Sequence, residues 1–278
     1  MSTQRGRSSA REGVGPSVGP SPLPSAPGPG PRPSAQPLRT GVGGTALPLE
    51  GGDLSDPRYD FHSHTFLTDG ETAATDMWLQ ALALGHRALA ITDHLYTEDP
   101  KPMLDRLLQE QKGFESEGLT TVVGVELSMV PPRRIAEAAK GARRAGAEIV
   151  IVHGETPVEA VPPGTNRAAL SSNAVDLLAH PGLLTEEEAE LARAHDVVLE
   201  LSTRRGHSLG NGGVAKLALQ IGADLVVDSD AHAPDQLVRQ EFARKVAMGA
   251  GVPLAHVTKV LTETPLQLLK RLGKAGRS

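Results

Sequence analysis

From Arg58 onward the chain repeats one unit, a short β-rich run followed by a helical stretch, and this alternation constrains the fold more than any other feature. Seven such runs fall at residues 59–65, 88–94, 121–127, 148–153, 175–180, 197–201 and 225–232. Strands separated by helices pair in parallel, because each crossover returns the chain to the same end of the sheet. Helix ends are marked between the runs: Gly85 closes the first helix, Pro131 and Pro132 open the third, and Thr185 with Glu188 forms a capping box. A last helix is expected to start at Pro265 after Thr264 and stop near Gly273. The fold class is therefore α/β. Seven successive units with short connections suit a TIM-like (β/α)7 barrel, closed or nearly so, with an open doubly wound sheet as the alternative. No G-x-G-x-x-G or Walker loop follows any strand.

The segment before this pattern has a different character. Residues 1–50 hold ten of the 22 prolines with many Gly and Ser, too little apolar surface to offset the entropy of ordering. The expected organisation is a disordered tail over 1–50 and one barrel domain over 51–278. Over residues 1–49, Arg5, Arg7, Arg11, Arg32 and Arg39 face a single acid, Glu12, so the rest of the chain is more acidic than the net charge of −5 for the whole. Such a surface argues against extended nucleic acid as a partner. There is no cysteine, which excludes disulfides, thiolate metal ligands and a cysteine nucleophile. Without an apolar run of bilayer length or a signal-like N-terminus, the expected location is the cytoplasm.

Six of the ten histidines, His62, His64, His94, His153, His180 and His232, stand at or beside the C-terminal ends of the expected strands. In barrels that end carries the site, because side chains there project into one mouth. Alternation along a strand puts Asp60, His62 and His64 on one face, with Tyr59 and Phe61 toward the outer helices, and repeats the spacing in Asp228, Asp230 and His232. Glu126 ends the third strand. A lone strand-end histidine is usually structural; six on one rim joined by Glu126 and Asp230 would each need a partner unless they bind metal. Neutral imidazole with carboxylate suits zinc, iron or manganese, and this many ligands calls for two or three divalent ions. His86, His195 and His256 are expected as solvated or capping residues.

These residues resemble the PHP domain, named for polymerases and histidinol phosphatases. Asp60-Phe-His62-Ser-His64 is similar to its first motif and Thr92-Asp93-His94 to its second, with Glu126, His153, Ala179-His180-Pro181 and Asp230-Ala-His232 following in order. The resemblance implies a distorted seven-stranded barrel and three metal positions: His62, His64 and Asp230 for one ion, Glu126 bridging to a second held by His153 and His180, and Asp69, His94 and His232 for a third. Asp69 departs from members with a histidine there; by itself Thr68-Asp69-Gly70 also reads as a turn. Asp60, Asp93 and Asp228 are expected to orient neighbouring histidines.

The implied activity is hydrolysis of a small phosphate monoester, histidinol-phosphatase-like, by a metal-activated hydroxide. Arg204, Arg205 and His207, after the sixth strand, are the candidate phosphate contacts, and the long connection 154–167 is a candidate lid in which Arg167 could reach substrate. Two other functions compete. A nucleotide phosphodiesterase or exonuclease would want stacking surface, but the chain has four Phe, two Tyr and one Trp. A non-catalytic RNA-binding scaffold would be expected to lose ligands and gain basic surface.

Overall fold

A computed structural model describes residues 56–114 and 118–274. The tail expected over 1–50 lies outside them. The strands are β1 (Arg58–Asp60), β2 (His86–Ile91), β3 (His94–Leu95), β4 (Thr120–Leu127), β5 (Ile149–His153), β6 (Leu177–Ala179), β7 (Val198–Ser202) and β8 (Leu225–Asp228). Between and after them run α1 (Ala74–Ala83), α2 (Lys101–Gly113), α3 (Pro132–Ala145), α4 (Thr165–Leu170), α5 (Glu186–Ala194), α6 (Asn211–Ile221), α7 (Gln240–Gly249), α8 (Leu254–Thr258) and α9 (Thr264–Arg271).

All pairings are parallel, in the order β1-β2-β4-β5-β6-β7-β8. Strand β3 is the continuation of β2 after a break at Thr92-Asp93, and pairs with β4 through His94 opposite Glu126. Seven strand positions therefore make a nearly closed barrel, as expected from the alternation.

The seam between β1 and β8 is where the ladder fails. One isolated bridge joins Ser63 to Ala231, with His64 N donating to Ala231 O at 2.8 Å. Below it, buried side chains replace backbone bonds. Phe61 N donates to Asp228 Oδ1 at 2.8 Å, Ser229 N to Asp60 Oδ1 at 3.0 Å, and Arg58 Nη1 to Val227 O at 2.7 Å. Asp60 and Asp228 thus hold the two histidine-bearing segments by their main chains rather than by touching imidazole rings. Burial pushes the Asp60 carboxyl up and pushes Asp228 well up, the latter reinforced by the charges of Asp60 and Glu200.

Two apolar layers stabilise the barrel. Outward positions such as Leu89, Val123, Val125, Val150, Leu178 and Leu199 pack with Trp78, Met77, Leu104 and Ile135 of the helices. Inward positions Ala88, Ala90, Val122, Ile149, Ile151, Leu177, Val198 and Val226 form a second cluster. Tyr59 and Phe61 belong to this inner cluster, not to the helix-facing layer the alternation predicted. Tyr59 and Phe61 keep one face as the period requires, but it is the inner one; β1 ends at Asp60, and the period does not run on to set the direction of His62 and His64. Likewise β8 ends at Asp228, and Asp230 has φ 51, which ends the expected 228-230-232 alternation.

Helix ends follow local chemistry. Thr185 Oγ1 accepts from Glu188 N while the Glu188 carboxylate accepts from Thr185 N, the expected capping box. Gly182, with φ 68, lets the chain turn before that cap; a Cβ there would lie 2.0 Å from Glu155 O. His195 caps α5, its Nδ1 against Leu170 O at 2.6 Å. His86 is buried at the start of β2 rather than solvated, with Nδ1 3.2 Å from Ala81 O. No helix among the described residues is long and apolar enough to cross a membrane.

Candidate metal centre

Glu126 stands on the inward face of β4, wholly buried, two positions above Gly124 and four above Val122. Five imidazoles surround its carboxylate. His62 Nε2 lies 3.4 Å, His153 Nδ1 3.2 Å and His180 Nε2 3.6 Å from Oε1; His64 Nε2 lies 3.6 Å and His94 Nδ1 2.7 Å from Oε2. They arrive from four places on the rim. His62 and His64 come from the extended segment after β1, pinned by Ser63 Oγ donating to Ala90 O at 2.6 Å and Thr92 N to Ser63 O at 2.8 Å. His94 starts β3, His153 ends β5 and His180 follows β6.

Asp230 closes the opposite side, its Oδ1 3.2 Å from His64 Nε2 and 3.5 Å from His62 Nε2. His180, φ 26, and Asp230, φ 51, both hold left-handed backbone conformations that cost of order 1–3 kcal/mol each. Surrounding packing imposes them, and each aims its side chain into the cluster. Asp69 sits on a turn tied by Gly70 N donating to Thr65 O at 2.9 Å; a Cβ on Gly70 would come within 2.7 Å of His64 O. Its two oxygens lie 3.3 Å from His94 Nε2 and 3.2 Å from His232 Nε2. The turn reading and the ligand position are therefore compatible. Asp93 braces the same turn, accepting from Thr65 N, Thr65 Oγ1 and Thr68 Oγ1.

Ligand atoms fall into four overlapping groups: His64, Asp69, His94 and His232; His62, His180 and Asp230; His62, His64 and Glu126; and Glu126, His153 and His180. His62 Nε2, Glu126 Oε1 and both ring nitrogens of His64, His153 and His180 are buried with no hydrogen-bond partner among the described residues. So many orphaned polar atoms facing one point would each cost roughly 1–3 kcal/mol if nothing bound them. Nitrogen and carboxylate donors at this spacing fit divalent ions well.

Electrostatics agree. Burial works to raise Glu126, but the charges of His62 and His94 override it and hold the carboxyl well below its usual range. Against burial, Glu126 and Asp69 push His94 up to about 10, and Glu126 and Glu159 push His153 up to about 9. Burial dominates at His64 and lowers it to about 4. The carboxylates thus create a strong demand for positive charge, which protons and metal ions would compete to meet.

Two carboxylates escaped the sequence reading. Glu200, wholly buried on the inward face of β7, has Oε2 2.7 Å from His62 Nδ1. An acid inside Val197-Val-Leu-Glu200-Leu was a usable signal, since an inward strand acid must have a partner. Glu159, from the loop after β5, has Oε2 3.1 Å from His153 Nε2 and Oε1 3.5 Å from His207 Nε2. Nothing local marks it, because the loop's path decides its position. A carboxylate behind a ligating imidazole fixes its ring and raises its basicity.

The mouth is a cavity of about 140 Å³ lined by ligands and by Tyr96, Ser128, Met129, Glu159, Arg204 and His207. Arg204 Nη1 donates to Asp230 O at 2.8 Å, and its Nε is 3.4 Å from Asp230 Oδ2. His207 is buried, its Nδ1 2.7 Å from Thr156 Oγ1 and its ring stacked on His180 at 4.2 Å; burial, then His180, lowers it to about 4. Arg205 is exposed and faces a neighbouring groove instead. Arg167 pairs with Glu187 at 3.0 Å, away from the cavity.

A parallel barrel whose mouth gathers histidines and carboxylates around one central glutamate presents clusters suited to divalent metal ions. The chain belongs to the PHP domain family, whose profile matches residues 59–207. It is 42% identical over 217 residues to an uncharacterized protein of Methanocaldococcus jannaschii, spanning 77% of this chain and 100% of that protein. Over 119 residues it is 29% identical to a probable phosphatase of Shewanella sp. (strain MR-4), 39% of this chain and 46% of the relative. In fold it resembles a chain in archaeal ribonuclease P with mature tRNA (TM-score 0.58, 18% identity, 80% of this chain and 94% of that one). It also resembles histidinol phosphate phosphatase from Lactococcus lactis subsp. lactis Il1403, complexed with zinc, L-histidinol and phosphate (TM-score 0.51, 15% identity, 70% and 94%).

Proposed function

We propose that this chain is a metal-dependent phosphoesterase that releases phosphate from a small-molecule monoester, in the manner of a histidinol phosphatase. The observation that carries the reading is Glu126 with five imidazoles at 2.7–3.6 Å, beneath a cavity of about 140 Å³. His62, His64 and Asp230 would hold one ion with Glu126, His153 and His180 a second with the same carboxylate, and Asp69, His94 and His232 a third. Zinc, manganese or iron suits these donors. Bound there, the ions supply an ionised water at neutral pH and Lewis-acid neutralisation of the phosphoryl oxygens.

The remaining work falls to the chain's own side chains. Arg204, braced by Asp230, lines the cavity and keeps its Nη2 group free to donate to a phosphate oxygen. His207, held by Thr156, lines the same wall and is placed to contact the ester. Glu200 fixes the ring of His62, and Glu159 sets its charge 3.1 Å from the ring of His153. Tyr96 and Met129 at the mouth leave room for a small leaving group.

The phosphatase naming of the Shewanella relative and the histidinol complex of the Lactococcus enzyme support this class without fixing the substrate. The gathering of all nine candidate ligands at one mouth supports it over an RNA-binding scaffold. The test is phosphate release from a panel of histidinol phosphate, sugar phosphates and nucleotides, with His153→Ala as control. Metal-dependent release that the substitution lowers at least a hundredfold is expected. Inactivity toward the whole panel after metal reconstitution, with firm salt-sensitive RNA binding, would favour the scaffold.

A further inference from the structure

Beside the mouth lies an open groove of about 430 Å³, lined by Thr203, Arg204, Arg205, Ser229, Gln236 and Val238. Its lining holds two guanidinium groups and no carboxylate, on a chain whose net charge is −5. Asp235 shares the turn Pro234–Gln236 but is exposed and does not line the groove.

The polar groups there are arranged as donors. Gln236 spends its Oε1 on His232 N at 2.9 Å, so its amide N–H₂ is left to donate. Ser229 is fixed by its own N–H to Asp60 Oδ1 and its hydroxyl to His62 O at 3.4 Å. Arg204 uses Nη1 and Nε on Asp230 and His232, so Nη2 remains. Arg205 has no ion-pair partner among the described residues and stands exposed on the groove wall. One guanidinium without an ion pair, a second with Nη2 left over, and neutral donors in a lining free of carboxylates suit an anion.

The groove is not independent of the metal centre. Arg204 lines both cavities, and Ser229 is the residue before Asp230. A ligand gripping the groove would therefore extend from a phosphate held over the metal cluster, with the Arg204 guanidinium between the two ends.

We propose that this groove binds a second phosphate of the substrate, one that is not hydrolysed, so that the preferred esters are small bisphosphates. This rests on the phosphoesterase reading of the neighbouring centre. Arg205 is the main specificity residue, and the Gln236 amide and Thr203 hydroxyl complete the cradle. Free inorganic phosphate offers the same chemistry and would compete at the groove.

The test compares esters on one carbon skeleton. With the full chain loaded with manganese, phosphate release is measured from a hexose monophosphate and the corresponding hexose bisphosphate. The bisphosphate should be preferred about tenfold or more in kcat/KM, through KM, as one charge-assisted contact predicts. Arg205→Glu should abolish the preference, and Arg205→Ala should lower it by a smaller factor. Calorimetric binding of the same two esters gives a readout that does not need turnover, and the same tenfold difference is expected there. Equal affinity for both esters, or a preference untouched by Arg205→Glu, would overturn the proposal. Selective bisphosphate binding without any phosphate release would sustain the groove and count against the hydrolase reading alone.

Discussion

The inward faces of the strands carry two chemistries separated by one or two inward positions. Low on the barrel they are apolar: Val122 on β4, Ile149 and Ile151 on β5, Val198 on β7, Val226 on β8. One or two inward positions higher, the same strands present Glu126, His153, Glu200 and Asp228, all buried. The lower region is stabilised by packing and needs nothing else. The upper region is a set of like and unlike charges that packing alone would destabilise, and it is tolerated because the lower layer and the outer helices hold it in place. What differs is dependence on a ligand: the lower layer is stable by packing alone, and the upper one holds the clusters suited to metal ions.

Substitutions can break that division, beginning with the largest effect. Glu126→Gln should remove the shared ligand of two positions, lowering kcat/KM by on the order of a thousandfold and reducing the metal content. The apo protein should still fold, as a circular dichroism spectrum will show. Ile151→Ala, two residues below His153, should do the reverse and cost about 2–5 kcal/mol of stability by denaturant unfolding while metal stoichiometry stays the same. Loss of metal with little loss of stability in this variant would mean the layers are not separable.

Finer changes sharpen the comparison. Glu200→Gln keeps the shape at β7 but weakens the carboxylate behind His62, and should lower metal affinity about 10–100-fold by competition titration. Protons provide the mildest test. In the metal-free chain His62 is held well above the usual histidine range, His94 at about 10 and His153 at about 9. Raised folded values mean that their contribution is complete below the unfolded value of about 6.5 and disappears as pH rises through the folded ones. The melting temperature of metal-free protein should therefore fall between pH 6.5 and 10, while metal affinity rises over the same range as the imidazoles lose protons. A flat pair of profiles would show that these rings are not charged in the metal-free state.

The strand count, the parallel order and the convergence of nine candidate ligands were legible in the sequence because they depend on local period and on the position of a residue within its βα unit. His153 and Glu126 needed only their strand ends. What stayed hidden was tertiary. The alternation through Asp60 to His64 failed because β1 stops at Asp60, and the seam to β8 is closed by the side chains of Arg58, Asp60 and Asp228 instead of a ladder. Glu159 reaches His153 from a loop whose course no local motif specifies. Adjacency in sequence groups Arg205 with Arg204, yet only Arg204 lines the mouth, while Arg205 lines the groove beside it.

The most direct measurement of the central claim is the metal content of the purified full chain by elemental analysis, before and after reconstitution with zinc, manganese and iron. Two or three ions per chain, falling when Glu126 is replaced by Gln, is the predicted result. A chain that holds no stoichiometric metal under any of these conditions would contradict the account, since the buried imidazoles and carboxylates at the barrel mouth would then have no partner to justify their position.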